Sequence, residues 1–312
     1  MSIWLIGAGV MAQDYTRVLE ALDLKFQVIG RGIDSAVSFE KATGHFVRSG
    51  GLTKALITET APDKAIIAVG VEHLASIAAE LIRAGTKRIL IEKPGGLDLA
   101  EISNLYQVAS EHGATVLLAY NRRFYGSVEL ARKFIAEDGG LLSAQFEFTE
   151  WSHEIAPLTK GIGVKERWIL GNSSHVIDLA FHFIGRPTDW KCWHIGTIDW
   201  HPAAARFAGA GISNYGVLFS YLADWQAPGR WGLELLTAKR RLILRPMEQL
   251  QITKIGSINV EQVELISQFD KQFKPGLFKQ TQAFINRDDD LFCTISEQVR
   301  NVELYSRMAG YV

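Results

Sequence analysis

The chain has 312 residues, with 33 Lys and Arg against 34 Asp and Glu, a balance that leaves neither a nucleic-acid footprint nor a polybasic membrane face. Hydrophobic residues at 47% and charged ones at 21% are ordinary for a globular protein, and the length allows two domains, each with its own core. The two cysteines, Cys192 and Cys293, stand outside any C-x-x-C pattern and have no His at metal spacing, so no disulfide scaffold and no metal site is expected. No apolar run reaches the length of a membrane span, and the apolar N-terminus lacks a basic n-region, so the expected location is the cytoplasm.

In chain order, Ile3 to Ile6 reads as a buried strand that breaks at Gly7-Ala8-Gly9 and runs into a helix marked by Met11, Tyr15, Val18, Leu19 and Leu22. Strand, glycine turn and helix make a dinucleotide fingerprint, G-x-G-x-x-A. Gly7 permits the turn, Gly9 admits a pyrophosphate, and Ala12 lets helix and strand pack closely. Ala8, Val10 and Met11 complete that turn, whose helix end offers N–H groups to phosphate. Phe26 to Gly30 is a second strand, Ser35 to Thr43 a helix, and Lys64 to Val69 a further strand, with Val69 at its cofactor end. A helix through Leu74, Ile77, Leu81 and Ile82 stops at Gly85, and Arg88 to Ile91 is a strand running into Glu92-Lys93-Pro94. Asp98 can cap the helix to His112, and Thr115 to Ala119 is the next strand. This alternation predicts a doubly wound parallel sheet, a Rossmann domain over residues 1–121.

Beyond Asn121 the rhythm changes. A helix over Ser127 to Glu137 is followed by strands at Leu141 to Trp151, Trp190 to Thr197, Tyr215 to Ala223, Trp231 to Leu236, Arg241 to Arg245 and Leu250 to Ile255, and by a closing helix over Thr294 to Met308. His201 to Gly211 reads as an irregular loop. Residues 122–312 are therefore expected to form an α+β domain with a mostly antiparallel open sheet.

The second strand ends at Gly30-Arg31-Gly32, where an NAD site usually carries a carboxylate for the ribose. Arg31 and Ser35 suit a 2′-phosphate instead, so NADP(H) is preferred over NAD(H). The alternative is that Arg31 is a solvated turn residue and Asp34 serves the ribose. Lys93 follows a sheet strand directly, at the edge where such sheets bind ligands, and could bond a hydroxyl and pass a proton. His175, Asp178 and His182 share one stripe of an otherwise apolar helix, where ionisable groups are costly unless partnered or functional. The bland alternative is a satisfied His–Asp bond inside a core. Trp151 to Gly171, with Ser152-His153, Lys160, Lys165, Arg167 and Trp168, would suit a phosphorylated or nucleotide-linked sugar, or would simply be a solvated connection or subunit contact.

The ordered set of fingerprint, Glu92-Lys93-Pro94 after the fifth strand, Tyr120-Asn121-Arg122-Arg123-Phe124 after the sixth and a His-bearing helix near 175 resembles the Gfo/Idh/MocA oxidoreductase family. The resemblance implies that Lys93 lies near nicotinamide and substrate hydroxyl, that Pro94 is often cis, and that Arg123-Phe124 matches the family's R-F with Asn121 on the substrate side. It also implies an open sheet that commonly makes dimers, so a homo-oligomer, dimer or tetramer, is expected. In the family's D-x-G-x-H-x-x-D register, His175, Asp178 and Gly185 match, but the first Asp falls at Gly171 and is missing. Asn172 partly substitutes, and His182 is secondary.

The expected activity is hydride transfer between NADP(H), or alternatively NAD(H), and a hydroxyl- or carbonyl-bearing carbon of a sugar, nucleotide sugar or related polyol. Lys93 and His175 would handle the proton and Asp178 would orient His175. Asn121, Arg123, Trp168, Asn172, His175 and His182 would meet substrate. A cofactor-binding regulator without turnover and a reductase of a non-sugar carbonyl or imine are the alternatives.

Overall fold

A computed structural model describes residues 2–265 and 267–311. Its first elements are β1 (Ile3–Ile6), α1 (Val10–Ala21), β2 (Gln27–Ile29), α2 (Ile33–Thr43), β3 (Val47–Arg48), α3 (Gly51–Thr58), β4 (Lys64–Ile67), α4 (Val71–Arg83), β5 (Arg88–Ile91), α5 (Leu99–Glu111) and β6 (Thr115–Leu118). A 3-10 turn, Asn121–Phe124, leads into α6 (Gly126–Glu137), β7 (Ser143–Glu147) and the short α7 (Ser152–Ile155). A π-helical turn, Ile169–Ser173, then enters α8 (Ser174–Ile184). There follow β8 (Pro187–Ile195), β9 (Arg206–Ser213), β10 (Leu218–Asp224), β11 (Gly232–Leu236), β12 (Arg240–Leu244), β13 (Gln251–Lys254) and β14 (Glu261–Gln262). The last elements are α9 (Gln268–Gln272), α10 (Leu277–Asn286), β15 (Cys293–Thr294) and α11 (Ile295–Ala309).

Two compact units result, one of residues 1–121 with 269–302, the other of residues 122–268 with 303–312. The sequence reading places all of 122–312 in one domain. In the structure 269–302 returns to the first unit, because β15 pairs antiparallel with β6 and α10 packs on α1.

The first unit holds a seven-stranded sheet in the order β15-β6-β5-β4-β1-β2-β3, parallel except for β15. All four residues of β1, β4 and β5 are buried, as expected for strands covered on both faces. Two charged members of these strands are partnered. Arg88 at the start of β5 forms a fork with Asp289, and Lys64 donates to the Ile285 carbonyl.

The second unit is an eight-stranded sheet, β14-β13-β12-β11-β7-β10-β9-β8, in which only β7 and β10 run parallel. One face is apolar: Phe146, Phe219 and Tyr221 lie under α8, with Phe181 edge-on to Phe146 at 5.6 Å and to Phe219 at 5.5 Å. The opposite face is open, and Trp193, Ile195, Leu218 and Leu222 are exposed on it. Strand β9 replaces the irregular stretch expected from His201 to Gly211. Its small residues have little strand propensity, but at Gly209 and Gly211 the ladder to β8 and β10 leaves no room for larger ones. A Cβ on Gly209 would lie 2.5 Å from the Tyr221 ring, and one on Gly211 would lie 2.3 Å from Trp190 Cβ. The long strand expected from Leu141 to Trp151 is shorter in the structure, ending at Glu147, and the residues beyond it turn toward α7.

Candidate functional site

The first unit provides a cradle at the carboxyl edge of its sheet. Gly7 ends β1 with φ +123°, and its N–H donates to Ile29 O at 2.9 Å. A Cβ there would lie 2.2 Å from Ala68 O, so only glycine fits. Gly9 sits at the N-cap of α1 with no side chain capping it and no acidic residue in the first turn. The positive end of a twelve-residue helix is thereby left open to an anion. A Cβ on Gly9 would meet nothing within 4 Å, so the space beside the turn is open. Helices α2 and α4 also start without side-chain caps, at Gly32 and Gly70. Helix α5, by contrast, is closed by Asp98, which accepts from Glu101 N at 3.0 Å, while the Glu101 carboxylate accepts from Leu97 N at 2.7 Å. An open turn, an uncapped helix and glycines that admit backbone approach fit a dinucleotide pyrophosphate.

At the end of β2, Arg31 is exposed and its Nη1 lies 3.1 Å from His73 Nε2. The Ser35 hydroxyl donates to Gly32 O at 3.0 Å, so it faces the same turn. Val69 lies 3.4 Å from the Cβ position of Gly7, and Val10, beside Gly9, is 76% exposed.

Beyond β5 the Lys93–Pro94 peptide is cis. Tyr15 on α1 donates its hydroxyl to Glu92 Oε1 at 2.9 Å. Burial, opposed by the Lys93 and Lys274 charges, raises the Glu92 carboxyl above the usual range, and burial together with Glu92 raises the Tyr15 phenol well above its own. Gln298 on α11 donates to Pro94 O and to the Tyr120 hydroxyl, each at 3.0 Å, and so clamps the turn that carries Lys93. Lys93 itself is half-buried. Asn121 is buried and donates to Pro275 O at 2.9 Å. Gln298 and Pro275 come from a segment that the sequence reading assigns to the other domain, and no local motif marks them.

The second unit holds its own cluster around α8. Arg122 and Arg123 are neighbours with different surroundings. Arg123 donates to both Asp178 oxygens, Nε at 2.8 Å and Nη2 at 2.7 Å, with side chains 3% and 1% exposed. Two residues expected in separate roles are thus brought together as a buried ion pair. Arg122 lies 4.8 Å over the Trp231 ring and 5.9 Å over Tyr125. His175 is half-buried and also faces Trp231, with ring centroids 6.2 Å apart.

Gly171 lies in the π-helical turn, and a Cβ there would meet nothing within 4 Å, so an aspartate would find room. A carboxylate reaches this turn from the segment between β7 and α7 instead. Glu150, 2% exposed, accepts from Asn172 Nδ2 at 3.0 and 3.2 Å and from the Ser173 hydroxyl at 2.7 Å. The sequence shows Glu150 only as the end of a strand-like run, and nothing in it signals this pairing.

The turn is also held from the C-terminal end. Ile169 N donates to the Tyr311 hydroxyl at 3.1 Å, and Tyr311 lies 2.8 Å from His201 Nε2. His201 Nδ1 lies 2.6 Å from Ala204 O. A carbonyl can only accept, so Nδ1 carries the proton and Nε2 accepts from Tyr311. Burial lowers the His201 imidazolium's pKa, in keeping with the neutral tautomer. His182 lies 3.4 Å from Arg132 Nη1, and burial with the Arg123 and Arg132 charges pushes it down to about 3.

A cavity of about 500 Å³ opens beside Glu150, lined by Trp151, Ser152, His153 and Trp225 among others. Trp168 is 8% exposed and edge-on to Trp200 at 5.8 Å, so its ring belongs to the core beneath this region. Lys165 donates to Ala156 O at 2.7 Å within its own loop. Among the described residues, no helix is long and apolar enough to cross a membrane, and the two cysteines form no disulfide.

Residues 1–120 match the family model described as oxidoreductase family, NAD-binding Rossmann fold, GFO_IDH_MocA. The chain is similar to trans-1,2-dihydrobenzene-1,2-diol dehydrogenase of Oryctolagus cuniculus, 30% identical over 154 residues, 47% of this chain and 46% of that protein. It therefore spans about half the length of the curated relatives it matches. Among solved structures, UDP-N-acetylglucosamine 3-dehydrogenase from Acidithiobacillus ferrooxidans superposes with a TM-score of 0.77 at 18% identity, covering 100% of this chain and 97% of that one. Levoglucosan dehydrogenase in complex with NADH gives a TM-score of 0.79 at 16% identity, covering 99% and 95%. These two structures share the fold of the whole chain. Over its first 120 residues, then, this chain matches the NAD-binding Rossmann fold of the Gfo/Idh/MocA oxidoreductase family.

Proposed function

We propose that the protein is an oxidoreductase that transfers hydride between NADP(H) and a hydroxyl- or carbonyl-bearing carbon of a sugar or related polyol. The observation that carries this reading is the open Gly7–Gly9 turn, with an uncapped helix behind it and Lys93 at the carboxyl edge of the same sheet. The dehydrogenase names of the relatives support a diol or sugar substrate.

When bound, the nicotinamide supplies the hydride chemistry, and the protein supplies orientation and proton transfer. Gly7, Ala8, Gly9, Val10 and Met11 would hold the pyrophosphate, Val69, Glu92 and Pro94 would border the cofactor, and Arg31 and Ser35 would meet a 2′-phosphate. NADP is preferred because the exposed Arg31 stands where an NAD site carries a carboxylate. Lys93 and His175 are the proton-handling groups in this reading. Asn172 serves the turn before His175 by holding Glu150. Asp178 serves through Arg123, fixing α8 to the turn that follows Asn121. Neither Arg123 nor Trp168, both buried, is proposed to touch substrate. The Glu150 carboxylate at the turn weighs against a regulator without turnover, whose support is the absent aspartate at Gly171.

The open face of the eight-stranded sheet, with Trp193, Ile195, Leu218 and Leu222 exposed, is the surface on which a homodimer would form. The reading is tested by incubating the protein with NADPH or NADH and a panel of keto-sugars while following the loss of reduced-cofactor absorbance. Turnover that falls at least a hundredfold in both Lys93→Met and His175→Ala, with NADPH affinity within about threefold, is the expected result. Turnover unchanged in both variants, or no nucleotide uptake by calorimetry, overturns it.

A further inference from the structure

We propose that the Arg122 guanidinium and the Trp231 indole N–H form a receptor for a carboxylate on the substrate, close to His175. The inference rests on the oxidoreductase reading and names the class of substrate that reading leaves open: a hydroxy or sugar acid. All the residues involved belong to the second unit.

Three observations carry it. First, the Arg122 guanidinium lies over the Trp231 and Tyr125 rings, its Nε is buried with no hydrogen-bond partner, and no carboxylate pairs with it among the described residues. A buried guanidinium is ordinarily paired, because desolvating an unpaired charge is costly. Its neighbour Arg123, 3% exposed, is paired in that way on Asp178. Second, Trp231 is 7% exposed and its Nε1–H is a second buried donor without a partner. Two orphaned donors within one stack leave an acceptor to be supplied from outside. Third, His175 faces the same indole at 6.2 Å, which ties the pair to a residue expected to handle the substrate proton.

The charge selects the anion. Glu150 and Glu248 lie in the electrostatic field of Arg122, and burial lowers its pKa. The planar fork of Arg122 matches a carboxylate, and the Glu150 and Glu248 charges in its field disfavour a ligand of higher negative charge. Arg230 closes the outer side, stacked between Trp151 at 4.6 Å and Trp231 at 5.1 Å, and is exposed.

Arg122 as an anion receptor is distinguished from Arg122 as a structural stacking residue by stability. Removing an unpaired, desolvated charge leaves the fold as stable or makes it more stable, whereas removing a structural arginine lowers the melting temperature. The experiment measures calorimetric binding of D-glucuronate, D-glycerate and D-glucose 6-phosphate, with methyl D-glucoside and glycerol as neutral counterparts. The whole protein is used, with and without NADPH. Thermal unfolding is followed in parallel for the wild type, Arg122→Gln, Arg122→Lys and Trp231→Phe. The expected result is that at least one acid binds tenfold or more tightly than its neutral counterpart. Arg122→Gln erases that preference without lowering the melting temperature, and Trp231→Phe, which keeps the ring and deletes the N–H, weakens it. The proposal is overturned if no acid is preferred, if glucose 6-phosphate is preferred to both acids, or if Arg122→Gln leaves the preference intact. A lowered melting temperature in both Arg122 variants overturns it as well. Failure to take up NADPH would instead remove the oxidoreductase reading, while binding to the cofactor-free protein still decides this one.

Discussion

Arg123 and Asp178 form a two-point ion pair, at 2.8 and 2.7 Å, with side chains 3% and 1% exposed. The pair joins the turn after β6 to the middle of α8, three residues beyond His175. A pair this deep contributes little net stability as a unit, because desolvation offsets much of the Coulombic gain. Removing one member is different, since it strands the other charge in the interior. Asp178→Ala and Arg123→Ala should each destabilise the protein by about 3–5 kcal/mol, and the double variant should cost much less than the sum. Chemical denaturation of the three variants measures this. Additive losses would show that the two side chains act separately.

The two glycines of the first turn should separate folding from cofactor binding. Gly7→Ala meets both a positive φ and a carbonyl 2.2 Å from the new Cβ, so it should destabilise the first unit by several kcal/mol, about 2–4. Gly9 has ordinary backbone angles and empty space around its Cβ position. Gly9→Ala should therefore fold with a melting temperature within a few degrees of the wild type, yet bind NADPH at least tenfold more weakly because the new methyl fills the pyrophosphate's approach. Melting curves and nucleotide titrations on both variants distinguish the two effects.

The first unit's strands were legible because buried parallel strands read as short apolar runs, and Ile3 to Ile6 and Lys64 to Ile67 are such runs. Strand β9 was not, since Ala208 to Gly211 carry no strand signal and the reason for the two glycines lies across the sheet in Tyr221 and Trp190. The return of residues 269–302 to the first unit was hidden for the same reason. A two-residue strand such as β15 is defined by its partner, and Cys293-Thr294 shows nothing of Leu118 and Leu117. In the candidate site, motif residues such as Gly7, Gly9 and Lys93 could be named from spacing. Glu150, Gln298 and Trp231 could not, because each matters through a neighbour distant in sequence.

Two histidines of the second unit make stability sensitive to acid. Burial lowers the pKa of both His182 and His201, that of His182 to about 3, helped by the Arg123 and Arg132 charges. In the unfolded chain each takes up a proton near pH 6.5, whereas the folded chain holds it neutral. Below that pH the unfolded state binds more protons, so stability falls as pH falls, and for His182 the loss continues toward pH 3. For His182 the loss is about 2 kcal/mol between pH 6.5 and 5. His182→Gln, which keeps an acceptor for Arg132, should flatten this part of the pH dependence by about that amount. Urea midpoints at pH 7, 6 and 5 test it, and an unchanged slope would show that His182 is protonated in the folded protein.

Cofactor choice should turn on Arg31. Its side chain is exposed at the end of β2, next to His73, and no carboxylate is bonded to it among the described residues. A 2′-phosphate brought there would gain a charge-assisted bond worth about 1.5–3 kcal/mol, about ten- to a hundredfold in affinity. NADH gains no such contact. Arg31→Ala should therefore weaken NADPH by at least tenfold and leave NADH within about threefold, reversing or erasing the preference. Asp34, in the first turn of α2, is the competing candidate for the ribose. If it serves that role, Asp34→Ala would weaken NADH selectively, Arg31→Ala would leave the ratio of the two affinities unchanged, and the protein would prefer NAD.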